Sequence, residues 1–219
     1  MHCEVCNTAC RGYTLCNNHL SSTRPAGQPR DQTASLGRPE TVTAMAGIEA
    51  QSDLSISVMQ IDDLPDVMRI ERSSYDFPWS EQIIRDCIKV GYHTLVLRED
   101  NAIRAYAFSS SAAGESHILN ICVDPAHRGE GYAKALLRQS IATVMVHGAK
   151  VIFLEVRESN RAAISLYESM GFVEIGRREN YYRRRKKTAA KPGATAANTN
   201  EDALVMSRDL TIIENESDL

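Results

Sequence analysis

Three stretches of this 219-residue chain carry residue types with chemical potential at a useful spacing. The first is Arg128-Gly129-Glu130-Gly131-Tyr132-Ala133-Lys134, a glycine-bearing turn between a strand pattern at 116–123 and a helix pattern. The helix carries Ala135, Leu136, Leu137, Ile141, Val144 and Met145 at helical spacing. Such a turn is suited to phosphate. The first helical N–H groups lack partners, the helix dipole adds positive potential, and Arg128 offers a charge-assisted bond. Gly131 permits close backbone approach, and Ala133 keeps the next contact small. The second stretch is Val151-Ile152-Phe153-Leu154-Glu155-Val156-Arg157, which places a carboxylate in an apolar run. Glu155 there needs a role or a partner, and partial burial would raise its pKa. Arg157, two residues along on the same strand face, is the expected ion-pair partner of a purely structural carboxylate. In the third stretch Asn160, Ile164 and Tyr167 recur at i, i+4 and i+7, one face of a helix.

Other readings of these residues stand beside the chemical ones. A turn with two glycines is common, and a core tyrosine with a surface hydroxyl is commoner than an acid catalyst. Order and combination decide. The segments Asn120-Ile121-Cys122-Val123-Asp124-Pro125, the R-x-x-G-x-A turn, Leu154-Glu155-Val156-Arg157, Ser159-Asn160, Leu166-Tyr167-Glu168-Ser169-Met170-Gly171-Phe172, Asn180-Tyr181-Tyr182 and, upstream, Phe77-Pro78-Trp79-Ser80 occur in sequence. Over roughly residues 54–210 the chain resembles the GNAT N-acetyltransferases. Within them it is most similar to the bacterial RimI ribosomal-protein-alanine N-acetyltransferase family.

That resemblance implies acetyl-CoA as co-substrate and the N-terminal α-amine of a protein, an alanine on a small-subunit ribosomal protein, as acceptor. It implies Glu155 as general base, acting directly or through water, and Tyr167 as general acid. It also implies that Ile121, Cys122 and Val123 present backbone groups to the acetyl end of the cofactor, that strands splay apart there, and that Asn160 binds the pantetheine arm. Phe77, Trp79, Tyr181 and Tyr182 take the place of the peptide entrance; for the first two, a hydrophobic staple on the following helix is an equal reading. Lysine or small-amine acetylation and a CoA-binding or zinc-knuckle adaptor are the competing functions.

Elements must then position these groups. Ile56 and Val58 alternate as a strand; Asp62 is the expected cap of a helix with Leu64, Val67, Met68 and Ile70 inward and Pro65 in its first turn. Ser80 caps a second helix bearing Ile83, Ile84, Cys87 and Ile88. Strands are predicted near 93–98, 102–109 and 115–123. The turn and its helix follow, then a strand at 150–156, a helix at 160–170, and strands at 173–179 and 203–207. A meander followed by βαβαβ makes a mixed α/β fold with a central twisted sheet and helices on both faces.

Composition bounds the rest. At 43% hydrophobic and a net charge of −3, the chain holds one core with extensions, and carries no whole-protein nucleic-acid footprint. No apolar run reaches the ~18 residues of a membrane span, and the N-terminus lacks a signal-peptide core. Cys87 and Cys122 are expected as reduced core residues of a cytoplasmic protein. Residues 21–53 read as a disordered linker and 211–219 as an acidic tail. Residues 1–20 hold Cys3-x2-Cys6 and Cys16-x2-His19. These are zinc-ligand types, but the connecting loop is short; a tail outside the working enzyme is the alternative, with Met45 a plausible second start. Residues 183–200 form an insertion with six basic and no acidic residues, read either as a solvated loop or as an electrostatic arm for ribosomal RNA or an acidic protein surface.

Overall fold

The computed structural model describes residues 53–184 and 200–212. The Cys/His cluster, the linker, most of the basic insertion and nearly all of the acidic tail lie outside the described residues. The chain runs β1 (Leu54–Val58), α1 (Leu64–Ser74), α2 (Glu81–Lys89), β2 (His93–Glu99), β3 (Ala102–Ala112), β4 (Glu115–Val123), α3 (Tyr132–Val146), β5 (Val151–Arg157), α4 (Arg161–Ser169), β6 (Val173–Tyr182) and β7 (Glu201–Asp209). Among the described residues, no helix is long and apolar enough to cross a membrane.

The strands form one mixed sheet in the order β1-β2-β3-β4-β5-β7-β6. All neighbours are antiparallel except β4 and β5, which run parallel. Strand alternation explains where the core sits. On β3, Tyr106 and Phe108 face one side and pack with Val67, Ile70 and Ile84 of α1 and α2. Ala105 and Ala107 face the other, against Tyr132 and Leu136 of α3. Being covered on both faces, β2 and β3 read as apolar runs. On β5 the buried row is Ile152, Leu154 and Val156, which clusters with the second half of α3 and with Ile164 and Tyr167 of α4. Cys87 and Cys122 are both buried, and neither is in a disulfide.

One local assignment is corrected. Asp62 does not cap α1. A 3-10 turn at Ile61–Asp63 precedes the helix, and the Asp63 carboxylate accepts from the Gln60 N–H at 2.7 Å, so the residue one position later closes the reciprocal cap.

Two irregularities shape the site. The β3–β4 register passes from Phe108↔Asn120 to Ser109↔Ile118, which leaves Leu119 as an extra residue, a β-bulge. At the same level the β4–β5 pairing ends: Ile118↔Leu154 is its last pair. Beyond it the two parallel strands part, as expected from the resemblance. The second irregularity lies in β6, between Arg178↔Ala203 and Tyr182↔Glu201. Asn180 there has φ of 54°, an uncommon conformation for a residue with a Cβ. Its N–H donates to Asp202 Oδ1 at 2.8 Å, and its carbonyl accepts from Asn200 Nδ2 at 3.1 Å.

Candidate active site

Where β4 and β5 separate, the gap opens into a cavity of about 200 Å³. Glu155 and Val156 of β5, Asn120 and Ile121 of β4, Asn160 and Tyr167 of α4, and Tyr181 and Tyr182 of β6 line it. Tyr75, Phe77 and Trp79 close the opposite wall. The structure therefore brings Glu155, Tyr167, Asn160, Ile121, Phe77, Trp79, Tyr181 and Tyr182 to one place.

Glu155 lies on the half-buried row of β5, opposite the Ile152–Leu154–Val156 row. The expected Arg157 partner is wrong. Glu155 Oε1 accepts from Arg178 Nε at 2.9 Å and Oε2 accepts from the Tyr181 hydroxyl at 3.3 Å. The Arg157 guanidinium is engaged elsewhere. It donates to Glu201 at 3.1 Å and to the Arg183 carbonyl at 3.2 Å, and it lies 4.4 Å over the Tyr182 ring. Glu201 is the stronger sink for that charge. Burial pushes its carboxyl up, but bonds from Ser159, Arg157 and Arg184 outweigh burial and hold it at about 2. The Tyr182 hydroxyl donates to the backbone carbonyl of Glu155 at 3.0 Å. Two adjacent strand residues ordinarily face opposite sides. Here the irregularity at Asn180 turns both rings toward Glu155, 5.0 Å apart and perpendicular.

Tyr167 is buried, its ring 5.8 Å from Phe172, and desolvation pushes its hydroxyl up to about 12. It is neutral at physiological pH and is a donor for a developing anion. Asn160 precedes α4 as its N-cap, and its side-chain oxygen accepts from Ala163 N–H at 3.3 Å. Its Nδ2 is left to donate to a ligand. Trp79 precedes the cap Ser80 and packs in one cluster with Ile84, with Phe108 at 5.4 Å, so the staple reading holds for it while it also lines the cavity. Phe77 lies under the Arg183 guanidinium at 5.1 Å.

The phosphate turn stands at the far end of β4. Gly129 and Gly131 have φ of 90° and 84°, left-handed conformations that require glycine, and neither has an atom within 4 Å of where a Cβ would sit. Gly131 is the N-cap of the 15-residue α3 and has no side chain to satisfy the first turn, so no side-chain cap competes for the N–H groups of Tyr132, Ala133 and Lys134. The Tyr132 side chain turns inward, donating to Glu99 at 2.8 Å, so the backbone is what Tyr132 offers a ligand. Arg128 is exposed, with Nε 3.5 Å from the Val123 carbonyl, and Glu130 is near His127 at 3.5 Å. The Cys122 side chain is buried toward α1 and α2; Cys122 and Val123 do not line the cavity. Glu99, His127 and Glu130 are the one set among the described residues with metal-ligand atoms within 4.8 Å of one another. Glu99 is already occupied by Tyr132 and Arg104.

A turn that presents helix N–H groups, joined by one strand to a cleft where that strand parts from a parallel neighbour, accommodates a long ligand with phosphates at one end. Residues 63–172 match the acetyltransferase (GNAT) family. The chain belongs to the GNAT acetyltransferase family. Among GNAT relatives, the [ribosomal protein bS18]-alanine N-acetyltransferase of Salmonella typhimurium is 36% identical over 152 residues, 69% of this chain and 95% of that protein. The Escherichia coli protein of the same name is 38% identical over 128 residues, 58% of this chain and 86% of that one. A crystal structure of the E. coli ribosomal-protein-S18-alanine N-acetyltransferase superposes with a TM-score of 0.64 at 32% identity, covering 75% of this chain and 98% of that one.

Four site residues were missed from sequence. Glu71, Tyr75 and Asn120 line the cavity, and Arg178 pairs with Glu155. Asn120 opens one of the segments that carry the resemblance, and Glu71 had a signal of its own, falling four residues after Val67 and seven after Leu64 on the apolar stripe of α1.

Proposed function

We propose that this GNAT enzyme transfers the acetyl group of acetyl-CoA to the N-terminal α-amine of a protein, an alanine on a ribosomal protein. The observation that carries the reading is the meeting of Glu155 and Tyr167 in the gap between β4 and β5, one strand away from the glycine turn. The printed names of the relatives supply the acceptor. The turn from Arg128 to Lys134 holds the cofactor phosphates. Asn160 binds the pantetheine arm, and the β4 backbone around Ile121 lies along the acetyl end.

The chemistry follows from the groups in the cleft. An α-ammonium has a pKa of ~8, so it gives its first proton to solvent and a usable fraction is neutral amine near physiological pH; the single proton the nitrogen sheds on becoming an amide is the one a carboxylate must take, directly or through one water. The amine nitrogen attacks the thioester carbon, and the amine proton passes to Glu155. As the C–S bond breaks, the Tyr167 hydroxyl donates to the leaving sulfur. Arg178 and Tyr181 hold the Glu155 carboxylate toward the cavity. Phe77, Trp79, Tyr181 and Tyr182 wall the peptide entrance, and Arg183 and Arg184 carry the first charges of the basic insertion to its rim, where they meet the acceptor. We place the reaction in the cytoplasm, and assign zinc no part in it.

The test is turnover on two synthetic peptides with internal lysines, one with a free N-terminal alanine and its twin blocked, read by intact mass. Acetylation of the free-terminus peptide alone is expected. Acetylation of both would make the enzyme a lysine acetyltransferase, and of neither would remove the peptide reading.

A further inference from the structure

One carboxylate at the cavity has no part in the steps above. Glu71 of α1 is 1% exposed. Its Oε1 accepts from the backbone N–H of Trp79 at 2.7 Å. Its Oε2 accepts from the Tyr106 hydroxyl and from Asn120 Nδ2, the latter at 3.4 Å. Asn120 Oδ1 in turn accepts from the Tyr75 hydroxyl at 2.9 Å. A single side chain of α1 thus ties together the loop that leads into α2, strand β3, and strand β4 directly after its bulge.

A buried carboxylate is a costly way to stabilise a core, since an apolar side chain of the same shape does so with less desolvation. Burial does push the Glu71 carboxyl up, and its three donors pull it back. What distinguishes Glu71 from a core residue is where its partners lie. Trp79 and Tyr75 belong to the wall facing the peptide entrance, while Asn120 belongs to the strand that borders the acetyl end; all three line the cavity. Glu71 bonds to both walls, to the Trp79 N–H on one side and to Asn120 on the other, and the Tyr75–Asn120 bond lies beside it.

We propose that Glu71 is a positioning residue for acetyl transfer, fixing the Tyr75–Trp79 wall against the β4 bulge so that the incoming amine is held at the right distance from the thioester. This role rests on the reading of the cavity as the acetyl-transfer site. It predicts a split that a merely structural carboxylate would not give. The phosphate turn touches none of these groups, so cofactor binding is spared while peptide capture is lost.

The experiment compares Glu71→Gln, Tyr75→Phe and the double variant with the wild type on the free N-terminal alanine peptide. It uses steady-state kinetics, calorimetric titration with CoA, and thermal melting. Glu71→Gln is expected to raise the peptide KM by about tenfold or more, with the CoA Kd within about twofold of wild type. Tyr75→Phe removes only the outer hydroxyl of the chain and leaves the fold intact. It is expected to raise the peptide KM about threefold alone, and to add nothing in the Gln background. A Glu71→Gln enzyme that melts earlier yet keeps the wild-type peptide KM would overturn the role, as would a parallel loss of CoA binding. Should Glu71→Gln fail to fold, a Tyr75→Phe enzyme with unchanged KM would overturn it. A wild type that does not acetylate the peptide would sink the functional reading and this role with it; an active wild type matched by its variants sinks this role alone.

Discussion

Replacing Tyr167 by phenylalanine removes one oxygen and tests the acid assignment directly. The phenol stands at about 12, whereas a thiol in water has a pKa near ~8.5. Full proton transfer from this phenol to a water-like thiolate would be uphill by ~5 kcal/mol. Tyr167 is therefore expected to give up its proton with C–S cleavage and not ahead of it. It donates a hydrogen bond that strengthens as charge builds on the sulfur, inside a slot where the same burial that raises the phenol also raises the thiolate's proton affinity. A donor aimed at developing charge is worth about 10²–10³ in kcat, or ~2.7–4 kcal/mol. The expected outcome for Tyr167→Phe is a fall in kcat of about 10²-fold with little change in either KM. The phenylalanine ring keeps its packing against Phe172, so folding stability should change by less than ~1 kcal/mol. Continuous detection of released CoA thiol gives kcat, and a thermal melt guards against loss of folded enzyme. A kcat within threefold of wild type would refute the reasoning, because no buried donor would then be stabilising the leaving sulfur.

Glu155→Gln should lower kcat/KM at neutral pH and shift the rate profile upward in pH, since the amine must then lose its proton to solvent; an unchanged profile would move the base elsewhere. Gly131→Ala must hold a Cβ residue at φ of 84° with no steric contact to blame, so it should cost ~1–2 kcal/mol of stability and weaken CoA binding; calorimetry giving a wild-type Kd would take the turn out of phosphate recognition. Burial, and for His93 the neighbouring His147, lowers the folded-state pKa of His93 below the ordinary 6.5, and burial does the same for His117. The folded state then binds fewer protons than the unfolded one, so stability is full above about 6.5 and falls as pH drops through that value toward the lower folded pKa. Glu201 adds a second decline of the same sign at lower pH: its stabilisation is complete above about 4.5 and is lost as pH falls toward 2. Denaturant melts between pH 8 and pH 3 should show both declines, and a flat stability from 8 to 5.5 would refute the histidine part.

What the sequence made legible, and what it hid, divides along the regularity of the backbone. The α3 helix and its turn were readable because glycine at a left-handed N-cap and an apolar 3.6-residue spacing are local signals. Tyr167 and Asn160 were placed together because four residues of helix separate Asn160 from Ile164 and three more reach Tyr167, although Asn160 proved to cap the helix and spends its oxygen there. The Glu155 partner was illegible for a different reason. Arg157 is close in sequence, but Arg178 reaches Glu155 from β6, two strands away in the order β5-β7-β6, and no periodicity encodes that order. The β6 strand was also read as ending at 179, because nothing in Glu-Asn-Tyr-Tyr announces a left-handed asparagine that continues the strand and turns two tyrosines to one side. The strand residues assigned to chemistry sit at or beside an interruption: Asn120 and Ile121 after the Leu119 bulge, Glu155 just past the last β4–β5 pair, Tyr181 and Tyr182 after Asn180. Regular pairing satisfies backbone and packs side chains away from solvent, which leaves no room for a ligand. An interruption exposes backbone groups and redirects side chains, so a pattern-based reading finds the residue types of the site while missing the contacts between them. Glu71 is the exception that had a signal. A carboxylate on the apolar stripe of an amphipathic helix contradicts the pattern around it, and burial without partners would be prohibitive. That contradiction alone points to partners on more than one neighbouring element, which is where Trp79, Tyr106 and Asn120 are found.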